Sequence, residues 1–192
     1  MQFNARAYPS LVPSGGKVVK AVVIGKDPDG EKLKKAERVS TYMSYQLMEE
    51  MDGWEEDMDR LLIMLPIVGT LFKKTYYDTQ AEKPVSKLVL AQNLVVNYWA
   101  PSLEEAERVS EILTLSQRTV KSKQLAGIYL GVDLGDPPIY EDSSEQNPGG
   151  RKDEATPWQF IEQHCFYDLD EDGYSEPYIV TFERASGKFV LS

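Results

Sequence analysis

The sequence predicts a mixed α+β fold, with helices packed on antiparallel strands and hairpins in one domain spanning residues 1–192. Three observations predict it. Apolar residues recur at helical spacing over 33–47 and again over 54–65. β-Branched runs at 70–78, at 86–90 and from Trp158 onward are separated by short polar turns. The chain is also long enough to bury a sizeable core as a single domain.

The elements follow in chain order. KVVKAVVIG (17–25) is β-branched and bounded by Gly16 and the turn DPDG, so it reads as a strand. Leu33, Ala36, Val39, Met43 and Leu47 then form the apolar stripe of a helix of roughly 20 residues. Its other face carries Lys32, Lys34, Lys35 and Arg38, interrupted by Glu31 and Glu37, which reads as a solvated face. A second helix starts at Asp52 as N-cap, with Glu55 three residues on as in a capping box, and shows Trp54, Met58, Leu61, Leu62 and Leu65 on one stripe. Glu55, Glu56 and Asp57 suit the positive end of its dipole, so capping rather than carboxylate catalysis explains them. Pro66 is expected to close this helix.

TLFKKTYYD and SKLVL read as strands joined by TQAEKP, and VVNYWA is a third candidate. SLEEAE (102–107) offers a short capped helix, RVSEILTLS a strand, and Ser116 caps a helix expected to run through Tyr129. Residues 131–157, rich in Pro, Gly, Ser and charge, are expected to form a long mobile loop. Three strands follow: WQFIEQHCFYDL, PYIVTFE and KFVL, the last two joined by ASGK.

Composition narrows the function classes. Twenty-one basic and 31 acidic residues give a net charge of −10, which argues against tight wrapping of DNA but suits a protein that lets DNA slide past. The N-terminus lacks the basic start and apolar run of a signal peptide. No stretch approaches the roughly 20 apolar residues of a membrane span, so no membrane partner is expected. One cysteine, Cys165, rules out an internal disulfide and fits a reducing compartment. The opening on an extended segment and the ending at FVLS, inside a strand, lead us to expect a fragment.

Catalytic motifs are missing. The pairs Gly16-Lys17, Gly25-Lys26 and Gly187-Lys188 end no phosphate-binding loop, and neither GxGxxG nor GxSxG occurs. The sole histidine, His164, neighbours Cys165 in a strand, where successive side chains face opposite ways, so Cys165 is expected to pack in the core. One histidine and one cysteine do not make a closed zinc site. The expectation is that the chain is not an enzyme and requires no cofactor.

One candidate metal loop remains. Asp168, Asp170 and Asp172 alternate ahead of Gly173, matching the first half of a calcium loop, with the Tyr174 carbonyl and the Glu176 carboxylate as further donors. Hard cations need several such oxygens, and glycine permits the turn that gathers them. The twelfth position is Ile179, where a helix-loop-helix calcium site has glutamate, and both flanks read as strands. The other reading is a solvated turn whose aspartates accept from their own backbone amides. Either way, the loop braces a hairpin.

Several stretches, in this order, carry a likeness: QFNARAYPSLVP, VVIGKDPDGEK, TYMSYQL, WEEDMDRLLIMLPIVGTLFKKTYYD, NLVVNYWAPSLEEAERVSEIL and FYDLDEDGYSEPYIVTFERASGKFV. Together they resemble the portal proteins of tailed phages, especially those of short-tailed phages and their prophage relatives. The likeness covers most of the chain and is least over 131–157. It implies a portal wing-like fold, outside the stem and clip that line the channel, in a subunit of the dodecameric ring at one capsid vertex. It also implies partners: other copies of the chain, the terminase large subunit, capsid or scaffolding proteins, tail adaptors, and double-stranded DNA passing through the channel. The implied location is the virion, with assembly in the host bacterial cytoplasm. The runner-up is a calcium-braced extracellular β-rich binding module, against which the absent signal and cysteine pairs count. A hydrolase using clustered carboxylates ranks last.

Overall fold

A computed structural model describes residues 2–13, 17–140, 152–153 and 155–191. The fold is mixed α+β, with four α-helices and two antiparallel sheets among the described residues. Where the sequence reading draws one domain, the chain gathers into two compact units, Met1–Ala91 and Gln92–Ser192. Part of the loop expected at 131–157, namely 141–151 and 154, lies outside the described residues.

The first unit opens on a helix rather than the extended segment expected. Helix α1 (Gln2–Leu11) contains Pro9 and docks on α3 (Trp54–Val68) through polar groups. Asn4 Nδ2 donates to Asp59 Oδ1 at 2.8 Å, and the Tyr8 hydroxyl donates to Glu55 Oε1 at 2.5 Å. The strand expected at 17–25 does not form. A strand needs a neighbour's ladder, and here Val19 is bonded to serine hydroxyls instead: its N–H donates to Ser44 Oγ at 3.1 Å, and its carbonyl accepts from Ser40 Oγ at 2.5 Å. Val22 and Ile24 consequently stand exposed.

Those serines lie on α2 (Glu31–Tyr45), which continues as a π-helical turn over Gln46–Glu50, matching the expected length. Asp27 starts this helix, its carboxylate accepting from the amides of Lys32 and Leu33. The expected stripe is not core: Leu33, Val39 and Met43 are exposed, and the one buried α2 residue is Ser40. Asp52 does not cap α3 either. It pairs with Lys83, and Gly53, at φ 73°, turns the chain into the helix with no side-chain cap. Nor does Pro66 end α3. A proline loses its own N–H bond and crowds the carbonyl four residues back, but so near the end it disturbs only the last turn; Gly69, at φ 84°, closes the helix with its N–H on Leu65.

Helix α3 packs on a hairpin of β1 (Leu71–Asp78) and β2 (Lys83–Leu90), paired from Leu71↔Leu90 to Asp78↔Lys83. Trp54 and Leu62 of the expected stripe are buried there against Val89 of β2, while Met58, Leu61 and Leu65 are half-buried. Asp57, expected to serve only the helix dipole, also accepts from the Leu88 amide at 2.9 Å and so ties α3 to β2.

The second unit is a five-stranded antiparallel meander of β3 (Leu94–Val96), β4 (Arg108–Leu115), β5 (Trp158–Tyr167), β6 (Glu176–Glu183) and β7 (Phe189–Leu191). The third strand candidate shrinks to three residues, because Asn97 turns the chain and its Oδ1 accepts from the Arg108 amide. SLEEAE makes a cap without a helix: Ser102 Oγ accepts from the Glu105 amide, and the chain then returns to β4. Six residues carrying three carboxylates are too few to offset helix nucleation. Helix α4 (Gln117–Leu125) has the expected Ser116 cap but stops earlier than expected, at Gly127, φ 73°.

That early stop sends Tyr129 into the core. Phe160 and Val190 are fully buried, and Val120, Tyr129 and Trp158 close around them, with Tyr129 and Phe160 ring centroids 5.8 Å apart. Truncating Phe160→Ala should cost about 3–5 kcal/mol in urea unfolding followed by circular dichroism, the range for a large core ring. A loss under about 1 kcal/mol would show that the core lies elsewhere.

Candidate functional site

β5 ends at Tyr167 opposite Glu176 of β6, so the acidic stretch is the loop of a long hairpin. Asp168 organises it. Its Oδ1 accepts from the Asp172 amide at 3.2 Å and its Oδ2 from the Gly173 amide at 2.8 Å, while Asp172 Oδ1 accepts from Tyr174 at 2.8 Å. Gly173 adopts φ 91°, which an L-residue rarely takes, and Glu171 adopts φ 60°. One carboxylate oxygen each from Asp168, Asp170 and Asp172 lies within 4.8 Å of the others. Asp168 is half-buried and the other two are exposed.

Glu176 is not among the converging groups. Its Oε2 accepts from the Tyr178 hydroxyl at 2.9 Å. That bond, then burial, then the charges of Glu176, Asp170 and Asp168 push the Tyr178 phenol above its ordinary value. Ile179 sits in β6 opposite His164. The cluster therefore combines a self-closing turn with three oxygens directed at one region. Such a set could hold a hard cation whose remaining ligands are water.

The other sequence candidates separate. His164 Nε2 lies 3.1 Å from Glu162 Oε1, two residues away on the same strand face, and Cys165 is half-buried rather than core. Cys165 pairs across to Arg108 and Tyr178, not to a base. The α3 carboxylates are also divided among partners: Glu55 accepts from Tyr8 and Asp57 from Leu88. Burial, followed by the bond to Glu55 and the charges of Glu55 and Asp59, pushes Tyr8 up to about 12. Lys73 sits 5.5 Å from the Trp54 ring centre with no hydrogen-bond partner among the described residues; burial lowers its pKa, opposed by Asp57.

Sequence reasoning missed Glu183, a carboxylate that is 2% exposed. Its Oε1 accepts from the Tyr140 hydroxyl at 2.5 Å and from the Ala185 amide at 2.9 Å, and its Oε2 from the Ser186 amide at 2.6 Å. The Tyr140 hydroxyl in turn accepts from the Gln159 amide at 2.9 Å. Burial raises the Glu183 pKa, but the bonds from Ser186, Tyr140 and Ala185 outweigh it and hold the carboxyl below its ordinary range. Burial and the Glu183 bond push Tyr140 well above the usual phenol value. An acid ahead of ASGK is a turn signal; Tyr140, in a stretch read as loop, carries none.

No family model and no curated protein matches this sequence.

Tyr140→Phe removes one donor from Glu183 and leaves the Gln159 amide without its acceptor. It should cost about 1–3 kcal/mol by denaturant titration. The pH dependence has two signs. Glu183, with a lowered folded pKa, stabilises above the ordinary carboxyl value of about 4.3, and that stability is lost as pH falls through the lower folded value. Tyr140, with a raised one, stabilises below about 10, and that stability is lost as pH rises further. Stability measured from pH 2 to 11 should therefore fall at both ends, with the alkaline slope reduced in Tyr140→Phe. An unchanged alkaline slope would contradict the assignment.

Proposed function

We propose that the chain is a structural piece of a tailed-phage portal protein of the short-tailed type, a non-enzymatic subunit of the ring through which DNA is packaged and ejected. The observation that carries this reading is the ordered set of resembling stretches, running from QFNARAYPSLVP to FYDLDEDGYSEPYIVTFERASGKFV. They coincide with packed elements: one spans α3 into β1, another the β3–β4 hairpin, and the last the end of β5 through β7. The mixed α+β fold is compatible with a wing region. The buried carboxylate of Glu183 closes a turn, which suits a scaffold.

In this reading the partners are other copies of the chain, the terminase large subunit, capsid or scaffolding proteins and tail adaptors. Duplex DNA passes through the assembled channel, in the virion after assembly in the host cytoplasm. The acidic balance leaves DNA free to move. Among the described residues no helix is long and apolar enough to cross a membrane. Electron microscopy of the natural gene product that contains this chain tests the proposal. Closed rings with a central channel are expected; a monomer, or a gene with no large terminase beside it, would overturn it.

A second reading, a calcium-braced binding module, is favoured by the convergence of Asp168, Asp170 and Asp172. Like charges a few ångströms apart repel by about 1–4 kcal/mol per pair, which a cation would offset. With isoleucine at the twelfth position, binding would be weak, with Kd about 10⁻⁴–10⁻³ M. Calorimetry with millimolar calcium separates the two states of the loop. If the turn is merely solvated, calcium leaves Tm unchanged, Asp170→Ala is neutral within about 0.5 kcal/mol, and Asp168→Ala costs about 1 kcal/mol through the lost amide bonds. If calcium braces it, Tm rises and Asp170→Ala abolishes the rise.

A further inference from the structure

The meander brings two hairpin ends together. Strands β3 to β6 are consecutive and antiparallel, so the β3–β4 and β5–β6 connections leave the same end of the sheet. Strand spacing puts the two about 10 Å apart. They are also tied directly: the Phe166 amide donates to the Glu107 carbonyl at 3.1 Å.

This end carries exposed aromatic rings among its polar groups. Tyr98 and Trp99 are 89% and 88% exposed, and they stack edge to face on each other with centroids 5.0 Å apart. Phe166, Tyr167, Leu169 and Tyr174 on the neighbouring hairpin are also more than half exposed. Scattered single apolar residues need no explanation, but Tyr98, Trp99, Leu169 and Tyr174 stand on two adjoining loops, with Phe166 and Tyr167 at the strand end beside them, a grouping of the kind that marks an interaction surface. Tyrosine and tryptophan are the side chains most enriched where binding energy concentrates.

Charge identifies the occupant. Residues 97–107 hold Glu104, Glu105 and Glu107, and residues 166–176 hold Asp168, Asp170, Glu171, Asp172 and Glu176; neither stretch contains a lysine or arginine. Most of the excess negative charge of the chain thus rims this one patch. Such a surface repels phosphate, so nucleic acids and anionic lipid are disfavoured. It suits cations whose stems or planes can lie on aromatic rings while their heads meet carboxylates, and guanidinium does both best.

We propose that this end of the five-stranded sheet is a docking surface for an arginine-rich segment of a partner protein. Tyr98 and Trp99 are its anchors, and the carboxylates orient and speed the encounter. The proposal stands on the second unit alone and does not depend on the portal reading.

Fluorescence anisotropy with a labelled oligo-arginine peptide tests it on the whole chain. Tyr98→Ser with Trp99→Ser should weaken binding by about tenfold or more, as hot-spot truncations do. Glu37→Gln with Glu49→Gln, exposed carboxylates of the first unit, should change it less than about twofold. Because both aromatics are exposed, the variant should keep the wild-type circular dichroism and Tm. Trp54 and Trp158 are buried, so Trp99 also reports directly: the peptide should shift tryptophan emission to the blue, and Trp99→Phe should bind but show no shift. Equal weakening by both double variants would mean diffuse charge attraction and overturn the proposal. So would a wild-type dimer that Tyr98→Ser with Trp99→Ser converts to a monomer while peptide affinity stays unchanged, since a second copy would then be the occupant.

Discussion

Burial of Phe160 is the constraint on which the second unit depends. β5 is hydrogen-bonded on both sides along most of its length, and at its first half Phe160 is fully excluded from water. A slip of one residue would turn Phe160 outward and bring Gln159 or Ile161 to its place, exchanging every side chain between the faces. The register this enforces places Glu183 opposite Phe160, Tyr167 opposite Glu176, and the Phe166 amide on Glu107. The hairpin ends are set by a ring at the far end of the same strand.

Carboxylates in this unit occupy two physical regimes. Glu183 is out of water and survives as an acceptor because one hydroxyl and two amides donate to it; without them, its burial would be strongly unfavourable. Asp170, Asp172 and their neighbours sit in water, where repulsion is screened and no single partner is required. The buried acid ties the turn into β7 through the Ala185 and Ser186 amides. The wet acids, beside exposed rings, remain able to meet something else. Structural and recognition roles are thereby separated along one hairpin.

The sequence makes local determinants legible and leaves non-local ones hidden. β1, β2 and β4 to β7 are readable because their runs are β-branched or aromatic and their turns carry Gly, Asp or Ser. Ser116 is readable as a cap for the same local reason. KVVKAVVIG has the strand composition but no ladder to join, since its bonds go to Ser40 and Ser44 twenty or more residues away. The α2 stripe has the period of a buried face, yet what a face meets is not written in its period. Asp52 had a better use as the partner of Lys83 than as a cap. At the candidate site, the three aspartates are visible as an alternation, but Tyr140 meeting Glu183 across 43 residues leaves no local trace. The joining of Trp99 and Tyr174 on one sheet end follows from strand order alone.

Amide hydrogen exchange across the chain measures the central claim most directly, that a sheet in a register held by Phe160 is the rigid platform for two solvent-exposed hairpin ends. The account predicts one slow cooperative class covering 159–165 with its partners in β4 and β6, and fast exchange over 97–107 and 168–175. Exchange of β5 as fast as that of the two loops, or a slow class that excludes β5, would contradict it.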